Sequence, residues 1–409
     1  MMEFSKLILI FVGIVVGLRK KIFVGYILLG AGLLTAILYG AEASAMFDSY
    51  KNLFVSRYFL QLYAIIIIIT FLGRILRELG YLDRLVNSSE DLIGGARTAA
   101  GVLPALIGLM PMPGGALLSA PLVGKVLDNP KYSAEFKTTV NYWSRHVMEF
   151  CWPVYPGLVL AAAITQIPIG TIALMQMPMT LIMIPTGIFF LIRKIDVNNS
   201  GHGTFFKPFG LIIMRIWPIL LAILIYAIFD LELVYSILIA LLLLLIIERP
   251  NKEAMRASAK AAFSPRLLVL VYGVLSFQAM LELTGAVGAI PKLTTELGLP
   301  AELVIILVSF ISGLLTGILF ALIGLAYPLL AGYLYVPDIN MANIFLAFIS
   351  GYVGMIFSPT HFCLILTNEH FRSNLGKVYR LLAAPLLLLF LAGFILYLIG
   401  YPWDLFSLR

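Results

Sequence analysis

The chain has 409 residues, 61% of them hydrophobic and only 12% charged, with a mean hydropathy of +1.01. A water-soluble domain is about 45–50% apolar and about 25% charged, so this composition excludes a soluble globular enzyme and makes lipid the solvent. The formal charge of +7 would hint at a nucleic-acid partner in a soluble chain; here it reads as basic loops on the inner side of a membrane, with no nucleic acid involved.

A helix needs about 20 apolar residues to cross the hydrocarbon. In chain order such runs fall at 4–18, 22–40, 57–73, 138–165, 168–192, 208–229, 231–248, 265–284, 340–367 and 379–400, which predicts an all-α polytopic protein with about ten transmembrane helices. Arg19, Lys20 and Lys21 follow the first run instead of preceding it, the reverse of a signal peptide, so the N-terminus is expected outside.

Two further apolar stretches, 96–127 and 301–332, are rich in Gly, Pro or Ser and broken near their middle, and each follows a polar or amphipathic stretch (75–95 and 285–300). Charge assigns them as re-entrant hairpins. Lys6, Lys51, Arg57, Lys292 and Arg409 then lie outside, and the other basic residues, Arg145 among them, lie in inner loops. Reading 96–127 as a single crossing would turn Arg193, Lys194 and the 249–266 cluster outward, against the positive-inside rule. The expected setting is the inner (cytoplasmic) membrane, with both termini outside.

The halves repeat one order of elements. Pro121 follows the first hairpin break and Pro153 comes 32 residues later; Pro328 and Pro359 repeat this at 31 residues, an offset of 206 or 207 throughout. Five crossings per half make the second copy inverted. The expected division is repeat 1 over 1–192, a cytoplasmic linker at 193–207 and repeat 2 over 208–409.

Irregular backbone at membrane depth is tolerated only inside protein or beside water, so the breaks mark the site. They are expected at Pro111 to Gly115, Thr316–Gly317 to Gly324, Cys151 to Pro156 and Ser358 to His361. Inverted repeats with discontinuous helices are the pattern of a secondary transporter. Gly114 and Gly115 open a hairpin arm whose N-terminal dipole suits an anion, with Ser119 one turn on; the same glycines could serve conformation alone. Thr316 and Gly317 stand near the second tip. Ser358, Thr360 and His361 flank one break, and Trp152 and Tyr155, the latter matched to His361 by the repeat, flank the other; capping and packing compete with substrate contact for these residues. Glu149, four residues before Pro153, is a candidate ion-coupling acid or else an ion pair with Arg145, and His146 a candidate proton relay or else a packed histidine. Cys151 and Cys363 show no metal-ligand spacing and read as small buried hydrophobes. No cofactor or resident metal is expected, and no nucleotide or hydrolase motif occurs.

PMPGGALLSAPLV (111–123) and SPTHFCLILTNEHF (358–371) resemble a prokaryotic membrane-protein family of unknown function within the ion-transporter superfamily, alongside citrate, gluconate and C4-dicarboxylate permeases. The resemblance implies an elevator mechanism and a homodimer. Its scaffold would be helices 4–40 and 208–248, and its transport parts 57–192 and 265–400. Sodium- and dicarboxylate-binding members carry Ser-Asn-Thr at the hairpin tips, where this chain has Pro-Gly-Gly and Thr316 among apolar residues, which tilts coupling from sodium towards protons. The reading is an ion-coupled carrier of a small organic anion, a carboxylate, in the lipid bilayer. A cation/proton antiporter is the alternative, and an intramembrane enzyme on a lipid-linked substrate the more distant one.

Overall fold

A computed structural model describes residues 2–81, 84, 95–110, 115–196 and 206–403, and every regular element among them is a helix. The first half holds α1 (Met2–Arg19), α2 (Val24–Tyr39), α3 (Ala43–Val55), α4 (Arg57–Glu78), α5 (Gly95–Gly108), α6 (Ala116–Val126), α7 (Ala134–His146), α8 (Pro156–Thr165) and α9 (Ile169–Phe190). The second holds α10 (Phe206–Phe229), α11 (Leu233–Glu248), α12 (Lys252–Ala262), α13 (Pro265–Leu283), α14 (Ala289–Glu296), α15 (Ala301–Thr316) and α16 (Leu319–Leu329). The single turn α17 (Ala331–Leu334), then α18 (Met341–Ile356), α19 (Phe362–Phe371) and α20 (Leu375–Leu398) complete it.

Four helical stretches, Arg57–Glu78, Ile169–Lys194, Lys252–Leu283 and Leu375–Leu398, are long and apolar enough to cross a membrane. Ile37, Leu181, Ile246 and Leu398 are exposed on these and on shorter apolar helices. Such exposure is unfavourable in water and neutral against lipid tails. The chain is a polytopic helical membrane protein.

The remaining apolar helices include pieces too short to span. α6 and α16 have 11 residues each, and α8 and α19 have 10. At 1.5 Å per residue these reach only about 15–17 Å, roughly half of the hydrocarbon. The runs at 138–165 and 340–367 are thus each two helices, parted at 147–155 and 357–361 around Pro153 and Pro359. Pro156 restarts the first pair at the position where a missing N–H costs nothing.

Three readings of the sequence need correction. The break expected from Thr316 to Gly324 is confined to Gly317 and Ile318, because Gly317 alone takes the left-handed conformation (φ +62°) that ends α15. Gly324 lies inside α16, where its missing side chain admits Val274. Hydropathy also missed α3 and α12, whose charges hide a helical pattern; α12 is capped by Asn251, whose Oδ1 accepts the Ala254 N–H at 2.8 Å, and it packs on α4. Finally, Arg145, counted above with the inner loops, is 2% exposed in the last turn of α7. Residues 197–205 of the expected linker, part of the 75–95 connector and Gly114 lie outside the described residues.

Helices meet closely where glycine removes the side chain. α2 crosses α13 at Gly25 and Gly273, where a Cβ on Gly25 would sit 2.6 Å from the Val269 carbonyl oxygen. α15 crosses α18 at Gly313 and Gly354, each facing a carbonyl of the other helix. In lipid such backbone proximity supplies the packing that hydrophobic burial supplies in water.

Candidate functional site

The two helix breaks are built alike. α7 and α18 end in carbonyls without a helical i+4 partner, although the His146 carbonyl also accepts the Glu149 N–H at 3.2 Å. Each accepts a tyrosine from the other: Tyr352 Oη donates to the His146 carbonyl at 2.7 Å, and Tyr142 Oη to the Ile356 carbonyl at 3.1 Å. Tyr155 and His361, paired by the sequence offset, occupy the same position, the N-cap of α8 and of α19, in extended backbone.

Each hairpin docks on one break. At the first, Tyr155 Oη donates to the Gly108 carbonyl and Trp152 Nε1 to the Leu109 carbonyl at 2.9 Å. At the second, Ser358 Oγ donates to the Leu314 carbonyl at 2.7 Å and Thr360 Oγ1 to the Leu315 carbonyl at 3.3 Å. Gly317 is needed here, since a Cβ would fall 2.8 Å from the His361 nitrogen and 2.9 Å from Ser358 Oγ. Ser358→Ala should therefore loosen this tip. It removes the bond to Leu314, the bond from the Thr360 N–H at 3.2 Å and the shared bond with Thr360 Oγ1 at 2.8 Å. Orphaning buried polar groups costs about 1–3 kcal/mol. A lower unfolding midpoint of the detergent-purified protein is expected, and an unchanged midpoint would show that these bonds do not hold the tip.

Between the docked hairpins lies a buried polar cluster drawn from both halves. His146 Nε2 and His361 Nε2 are 3.0 Å apart, with the rings nearly perpendicular. His146 Nδ1 lies 2.6 Å from the Tyr142 carbonyl. A carbonyl only accepts, so that nitrogen carries the proton and the Nε2 lone pair of the neutral ring faces His361. Glu149 Oε1 stands 3.8 Å from His146 Nε2. The Arg145 guanidinium lies on Gly115, the N-cap of α6: a Cβ there would be 3.0 Å from Nε and 3.1 Å from Cζ, and nearer still to Nη2. Cys363, on the first turn of α19, is buried at the same cluster, its sulfur within 4.8 Å of ligand nitrogens of both histidines.

The structure thus brings together His146, Glu149, His361 and Gly115, with Gly317, Ser358 and Thr360 beside them. Tyr155 and Trp152 hold the first hairpin. Ser119 and Thr316 turn their hydroxyls to carbonyls of their own helices, at 3.4 Å and 2.8 Å, and do not face the cluster. Sequence reasoning missed Tyr142, Tyr352 and Cys363 as members, and named Arg145 only as a loop charge or an ion-pair partner for Glu149. The adjacency of Arg145 to His146 on a broken helix was the available signal for the arginine. A cavity of about 440 Å³, bounded by Tyr58, Gln61, Gln166, Tyr226 and Glu232 among others, takes in none of the expected site residues.

Compared with known families, residues 3–400 match one described as a protein of unknown function, DUF401. No curated protein matches the chain.

Proposed function

Because the chain belongs to the DUF401 family, whose function is unknown, its activity has to be read from its own residues, and we propose that it is an ion-coupled secondary transporter of a small organic anion, a carboxylate, working by an elevator movement. One observation carries the anion: the buried Arg145 guanidinium lies on the N-cap of a hairpin arm. A fixed planar cation beside a helix N-terminus matches a carboxylate in both charge and geometry.

The reciprocal tyrosine bonds, the equivalent N-caps and the two docked hairpins support a pair of inverted repeats, and hence the superfamily resemblance and its elevator. In this reading α1, α2, α10 and α11 belong to the frame, and the hairpins with α7, α8, α18 and α19 carry the cargo. α13, seamed to α2 at Gly25 and Gly273, goes with the frame, one helix more than the sequence suggested. Glu149 and His146 are the groups for the coupling ion, a proton in preference to sodium. The closeness of Glu149 to His146 also supports the second reading, a cation/proton antiporter.

The test is a thermal-shift screen of the purified protein against carboxylates, with and without sodium, at two pH values. A ligand of the native state raises the midpoint by mass action. One carboxylate should stabilise the protein and then be taken up by proteoliposomes under a proton or sodium gradient. A response to sodium or pH alone, with none to any carboxylate, would replace the anion carrier by the antiporter.

A further inference from the structure

His146, His361 and Cys363 come from distant parts of the chain, yet their ligand atoms all lie within 4.8 Å of one another in the buried cluster. Zinc in a tetrahedral site takes nitrogen at about 2.0–2.1 Å and thiolate sulfur at about 2.3 Å, which sets ligand separations of about 3.3–3.6 Å. The two Nε2 atoms, 3.0 Å apart, already stand close to that spacing, and the thiol needs a shift of about 1 Å.

The surroundings match at His146, while His361 Nδ1 is buried without a hydrogen-bond partner among the described residues. Ligating histidines almost always donate their other N–H to a carbonyl or carboxylate, which fixes the tautomer and aims the lone pair. The Tyr142 carbonyl, 2.6 Å from His146 Nδ1, fills that role. Glu149 Oε1, 3.8 Å from His146 Nε2, is placed to supply an oxygen as a fourth ligand. One thiolate and one carboxylate offset the two charges of zinc and leave the cluster with the charge of the neighbouring Arg145. Glu149, His361 and Cys363 keep 6–8% exposure, so the cluster is not sealed from an approaching ion.

We propose that His146, His361, Cys363 and Glu149 form a binding site for a borderline-soft transition-metal ion of the zinc class. The site rests on this geometry and not on the transport reading, but it shares His146 and Glu149 with it, so a bound metal and a coupling proton exclude each other at these two groups. On binding, the His361 proton moves from Nε2 to Nδ1, the Cys363 thiol releases its proton to solvent, and the ion joins the two halves through α7 and α19.

Cobalt(II) is the probe, added to full-length, tag-free protein in detergent. One cobalt per chain is expected, with the visible bands of a tetrahedral ion, a sulfur-to-cobalt charge-transfer band in the near ultraviolet, and displacement by zinc. Cys363→Ser should remove the charge-transfer band and weaken binding on the order of a hundredfold, while Cys151→Ser keeps both. In the Cys151→Ser protein, where Cys363 is the remaining thiol, zinc should also slow alkylation of Cys363 at least about tenfold, a readout that does not require the Cys363 variant to fold. The site is refuted if folded protein binds no cobalt, if the charge-transfer band survives Cys363→Ser, or if zinc leaves the alkylation rate unchanged. The carboxylate screen on the same preparations separates the two ideas: cobalt binding without a carboxylate response removes only the anion carrier, and the converse removes only the metal.

Discussion

Gly115→Ala is expected to give a folded protein whose midpoint responds to the carboxylate about ten- to a hundredfold more weakly than the parent. Gly115 is in right-handed backbone (φ −55°, ψ −20°), so a methyl group is compatible with the chain itself, and replacing glycine by alanine at an N-cap costs about 1 kcal/mol, too little to unfold the chain. What the methyl group meets is Arg145, with Nε at 3.0 Å and Cζ at 3.1 Å. The guanidinium is 2% exposed and cannot swing into water, so it must tilt away from the start of α6. A hydrogen bond to a charged group is worth about 1.5–3 kcal/mol, which is the stated range of affinity. Arg145→Lys tests the same contact from the other side. It keeps the charge but loses the planar fork, and should bind the carboxylate more weakly. Both variants folded and both responding like the parent would remove Arg145 from the anion site.

How much of this was legible beforehand follows from where each signal resides. Hydropathy reports what faces lipid, and it located the apolar helices while passing over α3 and α12. Proline and glycine report what backbone can do, so Pro153, Pro359 and Gly317 marked the breaks, while Gly324, equally a glycine, marked only a close approach by Val274. α12 was hidden because its lysines and arginine mask three buried positions, Ala254, Ser258 and Ala262. The histidines were singled out one at a time, but their meeting across 215 residues is a tertiary fact with no local trace. Arg145 shows the opposite failure: a rule about loop charge claimed it, and only its place in the last turn of α7, under the first hairpin, makes it a buried cation.

Glu149→Gln is expected to separate binding from coupling. The carboxylate should still raise the midpoint, and counterflow exchange in proteoliposomes should persist, while accumulation driven by an ion gradient should fall to background. A charge at membrane depth costs about 2.5–3.5 kcal/mol, so a carboxylate kept there at 8% exposure calls for a compensating role. Glutamine preserves its size and one acceptor oxygen but carries no charge and takes up no proton. In the proposed site the anion is held by Arg145 and the start of α6, and loses only a repulsive neighbour, so its affinity should stay level or rise. An antiporter behaves differently, since its cargo and its coupling ion share Glu149, and the same variant would stop all transport. Intact gradient-driven accumulation in Glu149→Gln would show that the coupling ion is carried elsewhere. Loss of every activity, with no carboxylate response even in the parent, would move the reading to the antiporter. The variant thus decides whether the guanidinium or the carboxylate of this cluster meets the cargo.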